Sequence, residues 1–157
     1  MSILGFLVAL LMAYQQLPDF VTVDTDFSDV ATKNYHKEVV FYVVAGLMLV
    51  ANVLFVWIAR LFPKLPDGFI KLPGAVKWMS YRKQLNDIIT EWMNFGAIVV
   101  NFMLGLSIYV LAILNAPETS KAIPYFRWVF GAAALLVFIW IIYMPLRLLL
   151  SGPVKDE

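Results

Sequence analysis

The stretch Trp92 to Leu114, WMNFGAIVVNFMLGLSIYVLAIL, decides how the rest of the chain is read. At ~1.5 Å per residue it is long enough to cross a hydrocarbon core of ~30 Å. It contains no Asp, Glu, Lys, Arg or His, yet it carries Asn94, Ala97, Asn101 and Gly105 at steps of three and four residues, with Glu91 just before it. Residues at those steps share one helical face. Amides turned toward lipid are costly, so this stripe is expected to be a helix-packing seam that meets protein.

The composition around it points the same way. Hydrophobic residues make up 62% of the chain and charged residues 15%, against roughly half and a quarter in soluble proteins. Mean hydropathy is +0.80. These values define an integral membrane protein, and 157 residues leave room for one domain, residues 1–157. A net charge of +1 offers no nucleic-acid surface. With no cysteine there is no disulfide, thiolate nucleophile or thiolate metal site.

Outward from the deciding stretch, three further apolar runs appear. Ile3 to Tyr14 is short for a span; no Lys or Arg precedes it and no A-x-A-like site follows, so it is expected to cross as a thinned or snorkelled span rather than be cleaved. Leu17-Pro18-Asp19 breaks it. Phe20 to Lys37 is acidic, with Asp24, Asp26 and Asp29, and its alternation at Phe20, Val21 and Val23 suits a short strand or extended loop. Val39 to Ala59 forms the second span, closed by Arg60. Phe62 to Asp87 is a loop punctuated by Pro63, Pro66, Pro73, Gly68 and Gly74. Its second half places Trp78, Tyr81, Leu85 and Ile88 at helical spacing, as an amphipathic helix whose Lys77, Arg82 and Lys83 face headgroups. Trp128 to Met144 makes the last span, extended to Leu150 around Arg147. Trp128 and Arg147, like Trp78, are candidates for the membrane interface. Pro145 should kink or end that helix.

The predicted fold is therefore an all-α bundle of four transmembrane helices, at about 2–17, 39–60, 90–114 and 127–149. Basic residues set its orientation. Arg60, Lys64, Lys71, Lys77, Arg82 and Lys83 lie between spans two and three, and Arg147 and Lys155 lie at the C-terminal end. The other side has Lys33, Lys37, Lys121 and Arg127 beside most of the aspartates. The positive-inside rule puts both termini in the cytoplasm, with the acidic loop outside and the basic loop inside. A bacterial inner membrane is the expected location.

Sites for chemistry are scarce. His36 is the only histidine, so one copy cannot hold a bis-histidine haem. Asp24 to Asp29 spaces oxygen ligands as a calcium loop does, but lacks the sixth-position glycine and twelfth-position glutamate of an EF-hand. Glu91 sits at the boundary, where water or Arg82 can satisfy it. The last three spans contain no ionisable residue at depth, which argues against a proton pump or coupled carrier. Asn101 lies roughly 13 Å above Trp92, and Asn52 falls ~10 Å from the same face of the core. At matching depth the two amides are expected to hydrogen-bond, contributing ~0.6–2 kcal/mol. Gly131 and Ala134 permit close helix approach and mark a contact face, either to the third span or to another chain.

Leu17-Pro18-Asp19, Val21, Val23, Asp26, Ser28, Tyr35 and Lys37 resemble an extracytoplasmic motif of bacterial polytopic membrane proteins related to the SdpI-type toxin-immunity family. Phe69 to Pro73, with Tyr81-Arg82 and Leu85, resembles the cytoplasmic loop of that family. The family's His-Phe pair and Gly-x-Pro-Asp turn are replaced here by Asp24-Thr25 and Asp29-Val30-Ala31. The resemblance implies an immunity or sensor role carried by the outer loop 18–37, and no catalytic residue. The residues themselves favour a non-catalytic subunit of a larger membrane complex, partnered by the lipid bilayer and other membrane subunits, with no enzyme activity, cofactor or metal.

Overall fold

The computed structural model describes residues 2–22, 34–71, 74–115 and 126–153. The candidate calcium loop Asp24 to Asp29 lies outside these residues, as do Lys33, Lys121 and Lys155.

Helix α1 spans Ser2–Gln16 and stops where Pro18 disfavours helical geometry at Leu17, although the Leu17 amide still donates to Ala13 O at 3.0 Å. Its 15 residues reach only ~22 Å. The chain then extends into a two-stranded antiparallel hairpin, β1 (Phe20–Thr22) and β2 (Asn34–His36), in the register Phe20↔His36, Val21↔Tyr35 and Thr22↔Asn34. The alternation legible in Phe20 and Val21 resolves into an exposed Phe20 and a fully buried Val21.

Helix α2 (Lys37–Leu61) opens with Glu38 in its first turn and closes with Arg60 in its last, charges that complement the helix dipole. Pro63 and Pro66 then divide the connection into short 3-10 turns at Phe62–Lys64 and Asp67–Phe69. Gly74 adopts φ 78°, a left-handed conformation that side chains resist. A Cβ there would also stand 3.1 Å from the Leu148 carbonyl carbon, so position 74 favours glycine on two counts.

In the second half of this connection, Ala75–Tyr81 is a 3-10 segment that runs directly into α3 (Arg82–Leu114), so the helix that holds the expected span begins ahead of it. The stretch expected as an amphipathic helix is helical and continuous with α3. The apolar face of Trp78, Leu85 and Ile88 is taken up by Met144 and Leu148 of α4 (Phe126–Leu150) in one buried cluster. Helix α4 continues through Pro145 to Leu150, so the proline does not end it.

Among the described residues, three helices are long and apolar enough to cross a membrane, at Lys37–Lys64, Val76–Leu114 and Trp128–Leu150, while Ile3–Gln16 is a shorter apolar helix. By internal contacts the chain divides into two compact units, Met1–Val50 with Val100–Ala133 and Ala51–Val99 with Ala134–Glu157. In the first, Phe6, Leu10, Ala13 and Leu17 recur every three or four residues and bury one face of α1 against Met48, Ile108 and Ala112. Phe6 also lies 3.9 Å from where a Cβ on Gly105 would stand. In the second, the core is the Trp78–Leu85–Met144–Leu148 cluster.

Candidate functional site

In the first unit, long-range polar contacts gather around the hairpin. Lys37 Nζ pairs with Asp19 Oδ1 at 2.7 Å, and the Lys37 amide donates to Asp19 O at 2.9 Å. The hydrogen bond and charge of Lys37 hold the Asp19 carboxyl below the usual carboxylate range. Asn115 fastens the hairpin to the end of α3: the Thr22 amide donates to Asn115 Oδ1 at 2.7 Å, and Asn115 Nδ2 donates back to Thr22 O at 3.1 Å. This reciprocal pair satisfies β1 backbone groups that the two-stranded sheet leaves open. Val39, Val43, Val44, Ile108 and Leu111 line a neighbouring groove of about 350 Å³, with Tyr35 among its walls. Nothing charged lines it, so it suits an apolar chain rather than a polar substrate.

In the second unit, three long side chains close helix ends. Trp78 Nε1 donates to Leu148 O at 3.1 Å and Lys77 Nζ to Leu149 O at 2.7 Å, satisfying carbonyls in the last turn of α4. Arg82 does the same after α2: it donates to Phe62 O at 3.1 Å, Leu65 O at 2.8 Å and Asp67 Oδ1 at 3.2 Å, with its guanidinium 5.3 Å from the Phe62 ring centroid. Trp78 is buried and Arg82 turns inward, because each has orphan carbonyls to satisfy, and Lys83 is left exposed.

Deeper in this unit, Trp92 and Trp140 stack with ring centroids 5.0 Å apart and planes at 15°. Each indole donates to the other's backbone: Trp92 Nε1 to Trp140 O at 2.7 Å, and Trp140 Nε1 to Trp92 O at 3.0 Å. Gly96 makes room for this clasp. A Cβ there would fall 2.6 Å from Trp140 Cζ2 and 2.7 Å from Phe55 Cε1. Arg147 donates to Glu91 Oε2 at 2.6 Å and to the Tyr143 hydroxyl at 3.3 Å, so the partner of Glu91 is Arg147 rather than Arg82.

The polar stripe on α3 is not uniform. Asn101 is 2% exposed, Ala97 and Gly105 are half-buried, and Asn94 is exposed. Asn94 stands two residues, about 200° around the helix, from both Trp92 and Gly96, which face Trp140. Asn52 is half-buried and lines an open groove along α2 with Val53, Val56, Trp57 and Arg60. Each of Asn52 and Asn101 has an interaction partner. Gly131 and Ala134 are exposed, and no atom lies within 4 Å of a Cβ built on Gly131. Trp128 is 81% exposed and Arg147 is half-buried.

Sequence reasoning missed the Trp92–Gly96–Trp140 clasp. The signal available was a tryptophan four residues before a glycine inside a span, which puts a large donor and a gap on one face. Among the described residues, no three His, Cys, Asp or Glu side chains group as metal ligands. No family model, curated protein or solved structure matches the chain.

Proposed function

We propose that this chain is an integral membrane protein, a four-span bundle with both termini in the cytoplasm, that serves as a non-catalytic subunit of a larger membrane assembly. The observation that carries this reading is the lack of cover on α2. It is the most hydropathic of the three long helices, yet only 6% of its apolar window is buried, against 28% for α3. Its uncovered surface includes an open groove lined by Val53, Val56 and Trp57, which a neighbouring protein helix can fill. The open small residues Gly131 and Ala134 on α4 allow the close backbone approach that membrane helices use to associate.

Affinity purification in a mild detergent, followed by mass spectrometry and size measurement, tests this. Stoichiometric co-purification with a defined set of membrane proteins is expected, and Gly131→Leu should weaken it without unfolding the chain. A lone monomer or homodimer refutes the subunit reading.

A second reading is favoured by one feature of the first unit. The hairpin brings together Asp19 with Lys37 and Val21 with Tyr35, residues that carry the resemblance to the SdpI-related immunity family. In this reading the segment 18–37 faces the outside and meets a peptide or protein. Loss of toxin resistance on deletion, restored by the wild-type chain but not by Asp19→Ala, would select it over the subunit reading.

A further inference from the structure

We propose that the two described parts of the connection, residues 62–71 and 74–81, form a headgroup-binding apex that takes anionic phospholipid, with Phe69 and Val76 wedged into the lipid interface. This rests on the membrane reading above and deepens it by naming a lipid partner.

The connection is built around an internally satisfied base. Ile70 and Trp78 are buried in one cluster with Leu148, Arg82 holds the carbonyls of Phe62 and Leu65, and Lys77 holds Leu149 O. Two large apolar residues nevertheless point away from it: Phe69 is 76% exposed and Val76 is 84% exposed. Each neighbours a buried anchor, Ile70 or the Lys77–Trp78 cap, so the backbone beneath them is held in place. Polar alternatives at these two positions would cost nothing in packing.

Charge identifies what covers them. Between Arg60 and Lys83 the chain carries Arg60, Lys64, Lys71, Lys77, Arg82 and Lys83 against a single acid, Asp67, and Arg82 already pairs with Asp67. Arg60, Lys64, Lys71 and Lys83 are exposed, and none forms an ion pair among the described residues. Apolar residues set between exposed lysines, in a segment joining two helices long enough to cross a bilayer, match an interfacial surface facing anionic lipid. A second copy docking symmetrically would bring the same lysines together, which like-charge repulsion opposes.

The chain has no cysteine, so Phe69→Cys and Val76→Cys each provide a single labelling site. The variants are labelled with an environment-sensitive fluorophore and placed in nanodiscs of phosphatidylcholine with or without phosphatidylglycerol. The expected result is blue-shifted emission, quenched by a nitroxide at the lipid headgroup boundary and protected from iodide in the water. Iodide-accessible, unshifted labels overturn the proposal. A shift that appears only with two copies per disc also overturns it, in favour of self-association. In native mass spectrometry the wild-type chain should retain phosphatidylglycerol over phosphatidylcholine. Lys64→Gln and Lys71→Gln should each reduce that preference about fivefold; Lys77 is left intact because it also caps α4. Equal retention of the two lipids refutes the charge argument. Alkaline carbonate extraction separates the two levels of failure. Release from membranes sinks the membrane reading itself, whereas a retained protein with water-exposed labels sinks only the lipid apex.

Discussion

Gly96→Ala is the substitution for which the geometry makes the sharpest demand. The added methyl carbon would stand 2.6–2.7 Å from Trp140 Cζ2 and Cε2 and from Phe55 Cε1. These are ring atoms set edge to face, with centroids 5.8 Å apart, rather than the free ends of flexible chains. If the rings hold their places, overpacking costs about 1–3 kcal/mol. If the Trp140 indole swings away, two reciprocal hydrogen bonds worth ~0.5–1.5 kcal/mol each and a stacked pair worth ~0.5–1.5 kcal/mol are lost. The first route costs about 1–3 kcal/mol and the second about 1.5–4.5 kcal/mol, so a loss of at least about 1 kcal/mol is expected. Gly105→Ala supplies the internal control, because its Cβ would meet only Phe6 Cδ2, at an ordinary 3.9 Å. That change should lie within ~0.5 kcal/mol of wild type or stabilise slightly, since alanine favours the helix. Equilibrium unfolding in mixed micelles, followed by tryptophan fluorescence and by circular dichroism, measures both. If Gly96→Ala unfolds at the same denaturant fraction as Gly105→Ala, the clasp does not exist as described.

Arg82→Lys keeps the charge but loses the planar fork that reaches Phe62 O, Leu65 O and Asp67 together. It should cost ~1–2 kcal/mol, with faster amide exchange at the end of α2. Trp78→Phe preserves the ring but leaves the buried Leu148 carbonyl without its indole donor, for an expected loss of ~1–3 kcal/mol in the same unfolding assay. Because Lys37 depresses the Asp19 pKa, the hairpin contact contributes fully above the usual carboxylate range and is lost as pH falls through the lowered value. Amide exchange at residues 20–22 and 34–36, corrected for intrinsic rates, should therefore lose protection only below the usual carboxylate range. Asp19→Asn should remove that dependence, and an unchanged acid profile would refute the assignment.

What was legible in the sequence follows from which forces act locally. Helices α2, α3 and α4 could be read because length and apolarity suffice to define a candidate span, whatever its neighbours. The break at Leu17-Pro18 was equally local. Lys77, Arg82 and Lys83 look alike in the sequence, as residues seeking water. Their fates differ for a tertiary reason: Arg82 and Lys77 reach carbonyls 17 to 72 residues away, and no local pattern says which helix end will lack a partner. The same limit applies to the polar stripe. Asn94 and Asn101 are chemically alike and one heptad apart, yet one is exposed and the other buried. At the level of Asn94 the helix is packed from the opposite side, by Trp140. Its indole fits over the gap at Gly96, 44 residues earlier in the chain, and so turns the buried side of the helix away from the amide. The functional consequence is specific. Packing sensitivity is therefore expected at the buried Asn101 and at the clasp of Gly96, Trp92 and Trp140, and not at the exposed Asn94. Asn94→Leu should therefore leave the isolated chain as stable as wild type, and its effect, if any, should appear only when partners or lipids are present.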